Sequence, residues 1–352
     1  MNALPSVGVA PFERPGVSYD RIHTEPATRV GVAKILASDD PRIRIDTLRS
    51  VLGDEHTVCS ADLSSTERVV ETAREADALV VDTGVPVPAA VFGDCERLDV
   101  VARAGTGVDN INVAAADDAG VTVTNVPEYC TEEVSTHAVS LFLTLFRHVG
   151  SYDRAIEDGR WDWTDGRPIR RLSEQTVGFH SFGGIARRTA EKLAGFGCEL
   201  IASDPYVDAD EMAAHGVEKV SFGELLETAD HISVHAPLTE ETRHSFDRSA
   251  FERMRETAIL VNVGRGPIVD QPALRRALDA GEIAAAGLDV LNEEPPVDSE
   301  LVGRDDVVVT PHAAFYSEDS LVSLNEHVAG DVRDALAGDR PDGFVDPNAA
   351  VP

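Results

Sequence analysis

Three charged side chains, each following an apolar run, could carry acid–base chemistry on an anionic substrate. Arg265 stands between two glycines in LVNVGRGPIVD, Glu294 follows AGLDVLNE, and His312 follows VVVTP. Histidine is the usual proton carrier near neutral pH, a nearby carboxylate favours its protonated form, and the arginine fork matches a carboxylate. Singly, each residue is better explained as a salt-bridge partner, a loop carboxylate or a turn histidine. Together, they predict one catalytic site.

A strand–turn–helix–strand pattern at residues 176–205 could hold the pyrophosphate of a dinucleotide. The stretch SFGGIA (181–186) stands where a G-x-G-x-x-G fingerprint is expected. Glycines there let the phosphates approach the free N–H groups of a helix start, and Asp204 at the end of the second strand would accept ribose hydroxyls and repel NADP. Ala186 is an accepted variant, whereas Ser181 adds a Cβ at the tight turn. The pattern favours NAD; a helix packed on a sheet without a nucleotide is the alternative.

Short apolar runs alternate with helical patterns along most of the chain. Strands are expected within 29–40, 57–62, 77–84, 98–105 and 121–127, and a second alternating block runs from 176 to 312. One long helix is expected over 131–159 and another over 317–338, ended by Gly338. Strands alternating with helices predict parallel sheets with helices on both faces, the α/β class. Ligands bind beyond the carboxyl ends of such strands, where the charged residues are expected.

The composition excludes several classes of protein. The chain has 62 acidic against 31 basic residues and a net charge of −31, which repels nucleic acid and anionic lipid. A negative charge of this size indicates a protein adapted to high salt. The alternative is an acidic protein that has no such adaptation and comes from a mesophile. The four cysteines form no C-x-x-C pair and no H-E-x-x-H occurs, so we expect no metal and a reducing cytoplasm. We expect no membrane span and no signal peptide, and a flexible extension over residues 1–28.

The motifs carry a family resemblance. RAGTGVDN, VNVGRGPIVD, GLDVLNEEPP and TPHAAFYSE resemble the signatures of the D-isomer-specific 2-hydroxyacid dehydrogenases, in the family's order and over about 29–350. RAGTGVDN resembles 3-phosphoglycerate dehydrogenases, and GRWDW and TPHAAFYSE resemble the branch that includes the C-terminal-binding proteins, which are NAD-binding corepressors. The resemblance implies two Rossmann-like domains with the active site between them. These would be a discontinuous, flavodoxin-like substrate domain (29–127 plus 317–352) and an inserted NAD-binding domain (128–316), which usually supplies a homodimer interface.

The resemblance also implies roles for single residues. His312 would be the acid/base, Glu294 its partner, Arg265 the substrate's carboxylate and carbonyl ligand, and Asp289 the partner of the nicotinamide carboxamide. The cofactor would be NAD, bound by Thr106, Phe182, Gly183, Gly184, Ile185, Asp204, His235, Ala236, Pro237, Thr242, Val263, Gly264, Arg265, Asp289 and His312. The substrate would be bound by Arg103, Ala104, Gly105, Thr106, Gly107, Arg265, His312 and Phe315.

The expected function is an NAD-dependent D-2-hydroxyacid dehydrogenase or 2-keto acid reductase, such as a phosphoglycerate dehydrogenase or a glyoxylate/hydroxypyruvate reductase. A non-enzymatic NAD(H)-sensing regulator of the C-terminal-binding protein type is the alternative. Glu294 argues against formate dehydrogenases, which pair this histidine with glutamine. Arg103 could meet a second anionic group or be structural, and Phe315 with Tyr316 could form an aromatic wall. Because the sequence ends near residue 352, no C-terminal regulatory domain is expected.

Overall fold

The computed structural model describes residues 31–347, apart from 94, 96 and 167. The extension predicted for residues 1–28 lies outside this range. Within it, the chain forms two parallel sheets, each covered by helices on both faces.

The first sheet has five strands in the order β2-β1-β3-β4-β5, the flavodoxin-like order. Its strands β3 and β4 are buried at every position, so both faces of the sheet are covered. The strands are β1 (Lys34–Ser38), β2 (Thr57–Ala61), β3 (Ala78–Val81), β4 (Val100–Arg103) and β5 (Thr122–Thr124). The helices between them are α1 (Ile45–Leu52), α2 (Thr66–Ala73), α3 (Ala89–Gly93) and α4 (Val113–Asp118).

Two helices, α5 (Thr131–Phe146) and α6 (Val149–Glu157), lead to the second sheet. The prediction of one helix over 131–159 is therefore wrong. The backbone of His148 adopts a left-handed conformation with φ 55°, which an α-helix does not continue through. The apolar spacing runs on through the break to Val149, but Val149 is 56% exposed. Periodicity alone could not detect the break.

The second sheet has seven strands in the order β12-β11-β10-β9-β6-β7-β8, so the strand order reverses between β6 and β9. This is the Rossmann order with one added strand. The strands are β6 (Thr176–His180), β7 (Glu199–Ser203), β8 (Glu218–Lys219), β9 (His231–Val234), β10 (Ile259–Asn262), β11 (Ala285–Leu288) and β12 (Val307–Val309). The helices are α7 (Gly184–Ala194), α8 (Ala209–Ala214), α9 (Phe222–Thr228), α10 (Arg248–Phe251) and α11 (Gln271–Ala280), with short 3-10 turns at Leu172–Glu174 and Gly266–Ile268.

The last helix, α12 (Glu318–Ala337), packs against the first sheet although it follows the second in the chain. Its buried face, which includes Leu324 and Val328, lies in one core with residues of β1, β3 and β4. A capping box at Ser317 begins the helix, and Gly338 ends it at φ 83°, as the sequence predicted. The chain therefore crosses between the sheets twice, and residues beyond the carboxyl ends of strands from both sheets line one cleft. The prediction of two Rossmann-like α/β domains is confirmed.

Candidate active site

His312 and Glu294 form the centre of the cleft. Nδ1 of His312 lies 2.7 Å from Oε2 of Glu294, and the Leu291 amide donates to Oε1 of the same carboxylate at 2.8 Å. Burial raises the pKa of Glu294, but the hydrogen bonds from His312 and Leu291 outweigh it, so the pKa lies below its ordinary value. The carboxylate is thus kept ionised and orients the ring, which leaves Nε2 of His312 to exchange a proton with a ligand.

Asp289 organises the loop that carries His312. Its carboxylate accepts hydrogen bonds from the Thr310 hydroxyl at 2.6 Å, the Ala313 amide at 2.9 Å and the Ala314 amide at 3.0 Å. The His312 amide also donates to the Asp289 carbonyl at 2.8 Å. The side chain of Asp289 is buried, and three donors of its own chain occupy its two oxygens. Its contacts therefore fix the position of His312, whereas the nicotinamide role that the resemblance implied stays a prediction.

Arg265 reaches from the end of β10 to the glycine loop after β4. Its Nε donates to Oδ2 of Asp109 at 2.9 Å, and its Nη1 donates to the Gly264 carbonyl at 2.9 Å. A Cβ at Gly107 would lie 1.9 Å from Nη2 of Arg265, so a side chain there would displace the guanidinium. The loop predicted to receive the substrate carboxylate therefore lies directly against the predicted carboxylate ligand.

Arg103, at the end of β4, is almost fully buried, with 4% of its surface exposed. Its Nη1 donates to the Ala104 carbonyl and would lie 1.9 Å from a Cβ at Gly105. Within the described residues its Nε has no hydrogen-bond partner. Burial lowers the pKa of Arg103 to about 10, and the positive charge of Arg265 acts in the same direction. A buried cation with a free donor is a strong receptor for an anion.

These side chains share one cavity of about 220 Å³ between the two sheets. The first sheet's side contributes Thr83, Arg103, Asp109 and Asn110, and the second contributes Arg265, Leu291, Glu294 and His312 among others. Two arginines and a histidine–glutamate pair therefore line the same cavity. This arrangement can bind a carboxylate and exchange a proton with an atom beside it.

The predicted nucleotide turn lies at the end of β6, beside the switch point of the second sheet. Helix α7 begins at Gly184 with no side-chain cap at Gly183, so its first N–H groups are available to a ligand. A Cβ at Gly183 or Gly184 would meet nothing within 4 Å, so open space lies in front of the turn. Asp204 follows β7 and is buried. Free amides, open space and an acidic residue at the neighbouring strand end fit a dinucleotide.

The other predicted cofactor residues shape the surrounding loops. A Cβ at Gly264 would lie 2.8 Å from the Ala236 carbonyl, so the ends of β9 and β10 approach closely. The Thr242 hydroxyl donates to the Pro237 carbonyl at 2.6 Å and so closes the loop between these two residues. Burial lowers the pKa of His235 to about 3, so this ring is neutral. Three of the predicted side chains face the core: those of Phe182, Ala236 and Val263 are buried there, and only their backbones can reach a ligand.

A family model described as "D-isomer specific 2-hydroxyacid dehydrogenase, NAD binding domain" matches residues 139–314. Glyoxylate reductase of Korarchaeum cryptofilum is 37% identical over 284 residues, which are 79% of this chain and 85% of the relative. The chain belongs to the D-isomer-specific 2-hydroxyacid dehydrogenase family. The predictions of the family and of NAD as its cofactor are confirmed.

Other members of the family show how far the likeness extends. D-3-phosphoglycerate dehydrogenase 2 of Arabidopsis thaliana is 38% identical over 282 residues, which are 80% of this chain but 44% of the relative. The chain spans about half the length of the phosphoglycerate dehydrogenases it matches. D-Lactate dehydrogenase of Aquifex aeolicus, solved with NAD and lactic acid, superposes with a TM-score of 0.81 at 25% identity, over 88% of this chain and 98% of that one.

The aromatic wall differs from the prediction. Phe315 lies near His312 and Tyr129, with ring centroids 6.5 Å apart in each pair. Tyr316 is instead 55% exposed and donates its hydroxyl to Glu318 at 2.8 Å, so its place in the wall was wrong. Successive residues of the loop point in different directions, and the aromatic ring that lies near Phe315 is that of Tyr129, which the sequence analysis did not select.

Sequence reasoning missed further residues that contact the site. Asp109 lies two positions after Gly107 in the motif RAGTGVDN. An acidic residue so close to the predicted substrate loop could have indicated a partner for Arg265. His137 of α5 places Nε2 2.9 Å from the Thr310 hydroxyl, and so supports the Asp289 network. That contact joins residues more than 170 positions apart, and nothing in the sequence indicated it.

Two structural findings concern metals and membranes. Within the described ranges, no group of three His, Cys, Asp or Glu side chains is placed to hold a metal ion. Among the same residues, no helix combines the length and the apolar character that crossing a bilayer requires.

Proposed function

We propose that this protein is an NAD-dependent D-2-hydroxyacid dehydrogenase that also reduces 2-keto acids. The observation that carries the proposal is the 2.7 Å contact between His312 and Glu294 in the same cavity as Arg265. A proton donor and a carboxylate receptor in one cavity match the keto oxygen and the adjacent carboxylate of a 2-keto acid. The family's nicotinamide cofactor, when bound, supplies the hydride that C2 of the substrate accepts.

Each catalytic side chain then has a separate task. Arg265 holds the substrate carboxylate and polarises the keto oxygen beside it. His312 gives a proton to that oxygen during reduction and takes the hydroxyl proton during oxidation, which balances the hydride at C2. Glu294 stabilises the charged ring and fixes its orientation. Proton transfer by a positioned side chain contributes roughly 10²–10⁴-fold to the rate.

We further propose that the preferred substrate carries a second acidic group. Support comes from Arg103, whose buried Nε has no partner in the described part of the chain and which shares the cavity with Arg265. One cation suffices for a simple 2-keto acid. A second buried cation is explained by a ligand with two anionic ends, such as a phosphorylated or dicarboxylic keto acid. Several relatives are named D-3-phosphoglycerate dehydrogenase, whose substrate is of this class.

A substrate panel in high salt tests both parts of the proposal. NADH oxidation is followed with phosphohydroxypyruvate, 2-oxoglutarate, hydroxypyruvate, glyoxylate and pyruvate. We expect turnover, with the highest kcat/KM for a keto acid that has two acidic groups. If only glyoxylate or pyruvate is turned over, the proposed dehydrogenase activity stands, but the proposal that Arg103 binds a second acidic group is contradicted. Tight NADH binding without turnover of any acid would contradict the enzyme and favour the NAD(H)-sensing regulator.

We also propose that the protein is a salt-adapted cytoplasmic homodimer that associates through its NAD-binding domain. Two tryptophans after α6, Trp161 and Trp163, are 88% and 83% exposed, and Val149 and Ile156 on α6 are exposed beside them in sequence. Exposed large apolar side chains in one segment mark an association surface. The four free cysteines suit a reducing compartment, and the net charge of −31 suits high salt.

A further inference from the structure

Ser181 occupies the tight turn of the nucleotide site, where the fingerprint has glycine. Its backbone adopts φ 74°, a conformation that side chains with a Cβ rarely take. Its hydroxyl lies 3.0 Å from Oδ2 of Asp204. A strained residue persists when the surrounding structure compensates for the strain. The hydrogen bond to Asp204 is that compensation, and it ties Ser181 to the residue that receives the ribose in this type of site.

The chain itself uses most of the acceptor capacity of Asp204. In addition to Ser181, the Phe182 amide donates to Oδ2 at 2.8 Å and the Tyr206 amide donates to Oδ1 at 2.8 Å. An ionised carboxylate offers about four lone-pair sites. Three donors of the chain therefore leave about one, on Oδ1. Because Asp204 is only 7% exposed, a ligand cannot approach the carboxylate freely from another side.

We propose that Ser181 competes with the adenosine ribose for Asp204 and so weakens dinucleotide binding. Its hydroxyl donates to the carboxylate in place of a ribose hydroxyl. A glycine at position 181 would make the same turn without strain and would leave that lone pair to the cofactor. Ser181 is thus a specificity-determining residue of the cofactor site, and it favours rapid exchange of the dinucleotide over tight retention. The inference rests on the NAD site described above and does not require turnover.

Binding measurements on the whole protein test this inference. NADH is titrated calorimetrically into the parent, Ser181→Gly and Ser181→Ala. We expect Ser181→Gly to bind NADH about two- to tenfold more tightly, since one net hydrogen bond to Asp204 becomes available. Ser181→Ala frees the same acceptor but keeps the strained backbone, so its gain should be smaller. The matched control is Ser64→Gly, which removes a serine-to-aspartate hydrogen bond (Ser64 to Asp62, 2.6 Å) on the first sheet's side. It should not change NADH affinity.

An NADH analogue without the 2′-hydroxyl of the adenosine ribose identifies the cause. The parent should lose little affinity for this analogue, whereas Ser181→Gly should lose most of what it gained for NADH. Equal or weaker NADH binding by Ser181→Gly, in a variant that unfolds at or above the temperature of the parent, would overturn the proposal. Absence of NADH binding by every variant would overturn it as well. Failure to reduce any 2-keto acid would contradict the proposed enzyme but leave this binding result unaffected.

Discussion

Asp109 and Arg265 form an ion pair across the cleft, with Oδ2 of Asp109 2.9 Å from Nε of Arg265. Asp109 follows the glycine loop of the first sheet, and Arg265 follows a strand of the second. Their side chains are 45% and 28% exposed, so the pair contributes little to stability. Its effect is geometric. With Nε held by Asp109 and Nη1 by the Gly264 carbonyl, the guanidinium lines the cavity in a fixed orientation.

Replacing Asp109 should therefore impair substrate binding more than folding. We expect Asp109→Ala to raise KM for the 2-keto acid about tenfold. Without its hydrogen bond to Asp109, the Arg265 guanidinium is no longer held in the orientation that binds the substrate carboxylate. Asp109→Asn keeps an acceptor and should fall between the parent and Asp109→Ala. Steady-state kinetics measure the change, and thermal unfolding should show only a small shift. A lower KM in Asp109→Ala would show that Asp109 instead competes with the substrate for Arg265.

Arg103 should contribute to ligand binding at the expense of stability. Replacing it with methionine removes a buried charge that has no ion-pair partner in the described residues, and such replacements are often neutral or stabilising. We expect Arg103→Met to keep or raise the free energy of unfolding, while kcat/KM for acids with two anionic groups falls at least tenfold. Substrates with one carboxylate should be affected less. A loss of stability above about 2 kcal/mol would instead assign Arg103 a structural role.

Stability should fall as the pH falls from 6.5 toward 4 because of buried histidines. Burial lowers the pKa of His231 to about 4, and its ring lies between Phe142 and Phe146 with its Nδ1 accepting from the Ile259 amide. In the unfolded chain, His231 binds a proton as the pH falls through about 6.5. In the folded chain, it binds that proton only near pH 4. The depressed folded value therefore stabilises the protein above pH 6.5, and this stability is lost on acidification.

His231→Asn tests this dependence because asparagine keeps an acceptor for the Ile259 amide and does not titrate. Denaturant unfolding at pH 7 and pH 5 should show that the parent loses about 1–2 kcal/mol more than the variant over this interval. Identical losses in the two proteins would show that His231 is protonated in the folded state or does not remain buried.

The exposed tryptophans should be required for self-association. We expect the double variant Trp161→Ser/Trp163→Ser to shift the protein from dimer to monomer in light scattering at high salt, because removing two exposed rings from an interface removes its largest apolar contacts. Phe196→Ser, a substitution of another exposed aromatic residue on the same domain, is the control and should remain dimeric. A dimeric double variant would place the interface elsewhere.

The sequence was most informative where short motifs follow regular strands. Apolar runs that alternate with helices predicted both parallel sheets, and the carboxyl ends of the strands indicated where Arg265, Glu294 and His312 would lie. The break at His148 escaped prediction because the apolar stripe continues through it. The Asp109–Arg265 pair escaped because it joins two domains, and the Ser181–Asp204 contact because it depends on a single backbone angle. Spacing along the chain does not report any of these.

Isotope transfer tests the central proposal most directly. NADH that carries deuterium at the transferable position is incubated with the preferred 2-keto acid, and the product is examined by mass spectrometry after chiral separation. We expect deuterium at C2 of the D-2-hydroxy acid, with a rate about 10²–10⁴-fold lower in His312→Gln although that variant still binds NADH. NADH bound tightly by the parent, with no deuterium in any acid of the panel, would contradict the proposed dehydrogenase.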